Sequence, residues 1–287
     1  MTRIVASILS YNSIETLLHT LETVDAQTVQ PDRVVVVDNG SRDGTVDELR
    51  ASWPAVEIVA LGQNLGVGAG HNAGWRVALD DPTVDAIWAL EHDSWPADTC
   101  LARLLETWRD REHRGPPVGA VHPRQIVRGK TPSMHAAATA PSASRFLHLN
   151  GALLPAAALH AVGLLREDFF VSHEDRELGW RLAAAGWQTI RDGGAFVVHR
   201  NYADARHTRR TVARRYYGWR NDAYLRINVF HERQAMLNVL GGTGVTLVRV
   251  LRRGPSRSAY VRARVRATID AFRGNLGRKD YAFLRSE

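Results

Sequence analysis

Four short runs rich in β-branched and apolar residues, at 4–10, 33–37, 56–61 and 86–90, are separated by segments whose apolar residues recur at helical spacing. Residues 13–26 carry Leu17, Leu18 and Leu21 on one helical face, and similar patterns occupy 45–52 and 69–79. Such alternation leaves few architectures open. Parallel strands need a long crossover between them, and a helix is the usual one. The chain is therefore expected to be α/β, with a doubly wound, mostly parallel, Rossmann-like sheet. Ligands of such sheets lie beyond the carboxyl ends of the strands. That rule places Ser10-Tyr11-Asn12, Asp38-Asn39-Gly40-Ser41 and Glu91-His92-Asp93 along one rim.

Each polar cluster on that rim has two readings. Glu91 and Asp93, two apart at a strand end, can lean toward one hard cation held by a diphosphate, or can form a solvated turn. Asp38 can accept the N3–H of a pyrimidine base, or serve an Asx-turn or helix cap ahead of Asp43-Gly44-Thr45. Gln63 to Gly74 is glycine-rich, but His71 stands where a dinucleotide fingerprint has its third glycine, and the segment follows the third strand. It reads as a tight loop bringing backbone close to a ligand, or as a structural turn. Further on, Phe169-Phe170-Val171 stops at His173-Glu174-Asp175, where a helix should begin, with Leu178 and Leu182 at helical spacing and Gly186 to end it. Carboxylates in a first helical turn are stabilised as anions by the helix dipole, which suits a general base or simply a well-capped helix. His199 closes the apolar run from Ala195 to Val198, as a ligand or as a structural histidine.

Residues 128–145 turn to small side chains with two prolines, which suggests a lid-like loop or a surface insertion. The single Cys100 excludes an internal disulfide framework and fits a reducing compartment. Neither a signal-peptide pattern nor a long apolar run is found, so a cytoplasmic protein is expected. Charge is uneven: 14 Lys+Arg against 20 Asp+Glu through Asp168, then 23 against 10 from Phe169 onward. An acidic front suits cation handling, and a basic back suits an anionic partner. No nucleic-acid-binding signature accompanies the charge, so nucleic acid is not the expected partner.

Taken in order, several motifs resemble family 2 inverting glycosyltransferases of the GT-A fold. They are Tyr11-Asn12, Val37 to Thr45, Asn64-Leu65-Gly66 with Asn72-Ala73-Gly74, Glu91-His92-Asp93 and His173-Glu174-Asp175. The resemblance runs from about Ile4 to His199. Asn150-Gly151 and Tyr216-Tyr217-Gly218-Trp219-Arg220-Asn221 are similar to the bacterial rhamnosyl- and galactofuranosyl-transferase branch. The resemblance implies a nucleotide-sugar donor, UDP- or dTDP-linked, held by Tyr11, Asn12, Asp38, Asn64, Gly66, Asn72, Glu91 and His92. It implies a divalent cation, Mg2+ or Mn2+, at Asp93 and Glu91 with His199 completing the shell. Asp175, beside Glu174, falls on the catalytic base. The sequence departs at Glu91-His92, where Asp-Asp is usual, so Glu91 either reaches the metal differently or contacts only the ribose. The acceptor would be a glycan, lipid-linked or natural-product hydroxyl. A degenerate transferase that only binds sugar nucleotide is the alternative, and a nucleotidyltransferase ranks after it.

A GT-A catalytic domain is expected over 1–205 and a basic helical region over 206–287. From 256 to 274, Val261, Val265, Ile269 and Phe272 share a helical stripe with arginines mostly elsewhere. Such a helix either lies on an anionic membrane surface, at the inner face of the plasma membrane, or packs its stripe into the protein. Glycines at 241, 242 and 244, and Gly254-Pro255, are expected to break the helical pattern.

Overall fold

A computed structural model describes residues 2–127, 139–199, 209–232, 234–251 and 258–284. The chain divides into two compact units: Met1–Arg166 with Asp175–Asn201, and Glu167–Glu174 with Tyr202–Glu287.

The first unit is built on one sheet. Strands β1 (Ile4–Ser10), β2 (Arg33–Asp38), β3 (Glu57–Ala60) and β4 (Ala86–Glu91) alternate with helices α1 (Ile14–Asp25), α2 (Thr45–Ser52) and α3 (Val67–Leu79). They pair in parallel in the order β3-β2-β1-β4, the doubly wound half that the alternation implies. Beyond β4 the sheet is mixed rather than mostly parallel. After β5 (Ser94–Pro96), α4 (Cys100–Glu112) and β6 (Val118–Val127) come β7 (Ser142–Ala143), β8 (Ala152–Pro155), α5 (Ala156–Val162), α6 (Glu174–Ala184) and β9 (Gln188–His199). Strand β8 runs antiparallel to both β4 and β6, β6 and β9 are parallel, and β5 and β7 are antiparallel to β9. The lid-like segment expected at 128–145 lies outside the described residues up to 138; beyond it β7 joins the sheet.

Alternation along β1 builds both cores. Ile4, Ala6 and Ile8 pack with Leu17 and Leu21 of α1, Leu49 of α2 and Leu101, Leu104 and Trp108 of α4. Val5 and Leu9 pack on the other face with Trp75 of α3, Leu159 of α5 and Leu178 and Leu182 of α6. Each fully buried side chain of this size stabilises the fold by about 1.5–3 kcal/mol. The glycine-rich segment is mostly helix α3, not a loop. A Cβ on Gly74 would stand 2.6 Å from Ser7 Oγ and 2.7 Å from Val37 Cγ2, so the glycine lets α3 sit directly on β1 and β2. Only Gly66, with φ of 94°, remains in the turn before the helix. Cys100 is buried and its thiol is pushed up to about 12 by burial, which leaves it inert.

Two buried histidines make the fold acid-sensitive. His71 of α3 is 1% exposed, neither ring nitrogen has a partner, and burial holds its pKa down to about 3. His122 of β6 is held down to about 4, chiefly by burial, which outweighs the raising effect of the Pro123 carbonyl. Unfolded, both protonate near pH 6.5. Because the native state binds fewer protons, stability is full above that pH and falls as pH drops through 6.5 toward the native values, by about 2 kcal/mol per histidine at pH 5. Thermal melts should therefore hold steady from pH 8 to about 7 and decline below 6.5. His71→Leu should flatten that decline; an unchanged slope would contradict the assignment.

The second unit is helical: α7 (Arg209–Tyr224) passes into a π-helical turn at Leu225–Val229, followed by α8 (Ala235–Leu251) and α9 (Ser258–Phe272). One expectation for this region is corrected. Helix α8 continues through Gly241, Gly242 and Gly244; a Cβ on Gly242 would lie 2.9 Å from Nη2 of Arg264 on α9, and one on Gly241 or Gly244 would meet nothing within 4 Å. Gly254-Pro255 lies outside the described residues. Helix α9 does not bury the Val261-Val265-Ile269-Phe272 stripe. Its buried face is Ala263, Ala267, Asp270 and Ala271, with the two forward alanines against Val212, Tyr216 and Tyr217. Small residues permit that close approach, and the larger stripe is left half-buried, with Phe272 37% exposed. Asp270 accepts hydrogen bonds from Tyr216 (2.6 Å), Tyr281 (2.9 Å) and Asn275 (3.0 Å). Burial alone would raise its carboxyl, but these bonds hold it below the ordinary range.

Candidate active site

The parallel register aligns the strand ends. Ser10 of β1 faces Asp38 of β2, and Leu9 faces Glu91 of β4, so the acids share one rim. Asp38 is 3% exposed and accepts the Ser41 N–H at 3.1 Å, which closes the turn after β2. Asn12, held at φ of 48°, ties the loops after β1 and β2 together: its N–H donates to Ser41 Oγ (2.9 Å) and its Oδ1 accepts from Arg42 (2.8 Å). Tyr11 lies beside it, half-buried. Asn39 links the same rim to the next loop, accepting from Leu65 N–H (2.8 Å) and donating to the Gly66 carbonyl (3.1 Å). Asn64 Oδ1 accepts from Gly66 N–H at 2.9 Å.

Asn72 departs from its expected place on the donor. It is 1% exposed, and its amide pairs with Leu165 backbone in both directions, at 2.9 and 3.0 Å. Its contribution is to fasten α3 to the segment after α5, a supporting one.

Past β4 the chain turns back as β5, which pairs with the end of β9 so that Ser94 lies opposite His199. This register brings His199 Nε2 to 3.1 Å from Asp93 Oδ1, across 106 residues of sequence. Glu91 completes the group: one ligand atom each from Glu91, Asp93 and His199 lie within 4.8 Å of one another. Asp93 is 7% exposed. Burial would raise its carboxyl, but the hydrogen bond and charge of His199, and the charge of His92, hold it below the usual range. Two carboxylates and an imidazole at a strand end form a donor set suited to a divalent cation whose remaining ligands are phosphate oxygens. Nothing in the local geometry opposes one.

Of the supporting residues around this cluster, only Asn150 and Gly151 carried a signal in the sequence. The Glu91 N–H donates to Ser94 Oγ (2.9 Å), Ser94 Oγ bonds Asn150 Oδ1, and Gln125 donates to the Asn150 carbonyl (2.6 Å). Thr20 of α1 holds the His92 carbonyl at 2.7 Å. Gly151, at φ of 82°, follows Asn150 because a Cβ there would meet Val197 and Pro123 within 2.8 Å.

Glu174 and Asp175 open helix α6. Glu174 is buried; Asp175 is half-buried, and its Oδ1 accepts the Arg176 N–H at 2.7 Å. One turn later Glu177 grips Arg181 through both carboxylate oxygens, and Arg181 Nη2 reaches the Leu164 carbonyl at 2.6 Å. The residues leading into the helix are unusual. Phe170, Ser172 and His173 all have positive φ, 64°, 73° and 72°, among five such non-glycine residues in the described chain. Each costs about 1–2 kcal/mol for a side chain with a Cβ.

A parallel half, a mixed extension and an acid cluster at the end of the fourth strand are the arrangement of the GT-A fold. Structurally the chain is similar to Staphylococcus aureus TarS 1-349, with a TM-score of 0.61, 16% identity, and 94% of this chain and 81% of that one covered. It spans 40% of the longer TarS chain. It is also similar to mannosyltransferase PcManGT from Pyrobaculum calidifontis, solved in complex with GDP-Man and Mn2+ (TM-score 0.57, 18% identity, 94% and 73% covered). In sequence, residues 6–153 match glycosyl transferase family 2. The chain belongs to that family. A relative, N-acetylglucosaminyl-diphospho-decaprenol L-rhamnosyltransferase of Mycobacterium tuberculosis, is 31% identical over 217 residues, 62% of this chain and 70% of the relative.

Proposed function

We propose that this glycosyltransferase moves a sugar, with inversion, from a nucleoside-diphosphate donor to an acceptor hydroxyl on a lipid-linked glycan. The convergence of Glu91, Asp93 and His199 at one strand end carries the reading. A divalent cation bound there would offset the charge of the departing diphosphate. Asp38 lies on the same rim, where its carboxylate can also receive the N3–H of a uracil or thymine base. Tyr11, Asn12, Asn64 and Gly66 shape the loops around the nucleotide. Asp175 accepts the acceptor's proton as the oxygen attacks the anomeric carbon from the face opposite the diphosphate; a single displacement inverts that centre. The mycobacterial relative's name, a rhamnosyl transfer to a diphospho-decaprenol-linked amino sugar, favours a deoxyhexose donor and a polyprenyl-diphosphate acceptor. The test is a thermal-shift panel of UDP, dTDP and GDP and their sugars, with and without Mn2+. A pyrimidine nucleotide that stabilises the protein only with the cation supports the reading; indifference to every nucleotide overturns it.

An anionic membrane surface is the proposed site of action, with the exposed apolar side chains of α8 as the proposed contact. No helix among the described residues is long and apolar enough to cross a membrane. Met236, Leu237, Leu240 and Val245 on α8 are nonetheless 49–70% exposed, and Arg249, Arg252, Arg253 and Arg257 follow in sequence. Exposed apolar side chains followed in sequence by cations suit lipid with acidic headgroups. Leu237→Glu with Leu240→Glu should weaken binding to phosphatidylglycerol vesicles by about tenfold or more. Binding should also fade as salt rises, because exposed charges are screened over about 8 Å at physiological ionic strength. Equal binding by the variant would remove α8 from the membrane.

A further inference from the structure

The Tyr216-to-Asn221 motif of α7 has no part in the chemistry proposed so far, yet Arg220 and Asn221 are both wholly buried. Most of their partners are backbone carbonyls of the turn that precedes α6. Asn221 Nδ2 lies within hydrogen-bonding distance of the carbonyls of Phe169 (3.1 Å), Val171 (3.0 Å) and Ser172 (2.8 Å), its two N–H groups being shared among the three. Arg220 Nη2 donates to Phe169 (2.9 Å), and its Nη1 to Gly277 (2.6 Å). Arg220 Nε donates to Asn221 Oδ1 at 2.9 Å, so the two side chains orient each other. The guanidinium is flanked by the rings of Tyr216 and Tyr217, at 5.7 and 5.0 Å from their centroids. Burial lowers its pKa, but a guanidinium stays protonated at any physiological pH.

Buried donors of this kind are usually spent on fixed secondary structure. Here they serve a stretch in which Phe170, Ser172 and His173 hold left-handed φ values. A turn with three such residues persists only where its surroundings impose it. It ends at Glu174, where α6 begins, and Asp175 is the next residue. We infer that Arg220 and Asn221 are positioning residues for Asp175: by holding the carbonyls of 169, 171 and 172, they fix the direction in which the chain enters α6 and hence the aim of the base. The inference rests on the assignment of Asp175 as base. A group displaced by about 1 Å from its productive geometry can cost about 10²-fold in rate, so the clamp is expected to act on turnover rather than on donor affinity.

Full-length Asn221→Ala is the direct test, with Asn221→Ser, which keeps one hydroxyl donor, measured beside it in case the alanine variant fails to fold. The expected result is a kcat lowered by about 10–100-fold, with affinity for nucleoside diphosphate and Mn2+ within about twofold of wild type. Amide exchange at 170–174 should rise. In an Asp175→Asn background, adding Asn221→Ala should change the residual rate by less than about twofold, since the group being aimed is already gone. Unchanged kcat, unchanged exchange at 170–174, donor affinity falling in step with kcat, or losses that multiply in the double variant would each overturn the inference. The base assignment fails separately: near-wild-type turnover in Asp175→Asn alone removes it, and with it the route from clamp to rate, even where exchange still reports the clamped turn.

Discussion

Asp175→Asn is expected to lower turnover by about 10²–10⁴-fold while leaving the fold and donor affinity close to wild type. The substitution is nearly isosteric, and an amide oxygen can still accept the Arg176 N–H that Asp175 Oδ1 now accepts at 2.7 Å. What it cannot do is take a proton from an attacking hydroxyl. Asp175→Ala is the poorer test, because losing a carboxylate at a helix start also destabilises the fold by about 0.5–2 kcal/mol. Steady-state kinetics with a soluble acceptor analogue separate the two effects: kcat and kcat/KM for the acceptor should fall together, with donor affinity unchanged. Near-wild-type kcat in Asp175→Asn would remove this residue from the chemistry.

The second large effect is expected at Asp93. Asp93→Asn keeps the volume of a side chain only 7% exposed and can still bond His199, but it removes one carboxylate charge from the proposed cation site. Donor affinity measured by calorimetry in Mn2+ should fall by about 10–100-fold, an effect of the size seen on weakening metal shells. His199→Ala should reproduce part of the loss, and Glu91→Gln a part that measures how far the longer acid shares the cation. Chelation of wild-type protein with EDTA should match Asp93→Asn. Donor binding indifferent to EDTA would end the metal assignment for the whole Glu91, Asp93 and His199 cluster.

The first half of the sheet was legible in the sequence because physics there is local. Runs such as Arg33–Asp38 are β-branched and bounded by turn residues, and the intervening helices carry their own apolar stripes. Beyond β4 that legibility ends. Strand β8 is four residues of ordinary apolar sequence, and nothing local says that it will pair antiparallel with both β4 and β6. The approach of His199 to Asp93 has the same character: the β5–β9 register produces it, and a register between distant segments leaves no periodicity to read. Glycines misled in two places, at 66–74 and 241–244, where helices run through them; at Gly74 the close approach of β1 and β2 supplies the reason. Arg220 was hidden among surface arginines; the tyrosines and asparagine beside it were the only sign that this one is buried.

The most direct measurement of the central claim is proton NMR of the sugar transferred from a pyrimidine-nucleotide donor to a polyprenyl-diphosphate-linked acceptor in the presence of Mn2+. Transfer with the anomeric configuration opposite to the donor's, nucleoside diphosphate released in equal amount, and loss of both in Asp175→Asn is the predicted result. Product with the donor's configuration retained, or release of pyrophosphate in place of nucleoside diphosphate, would contradict it.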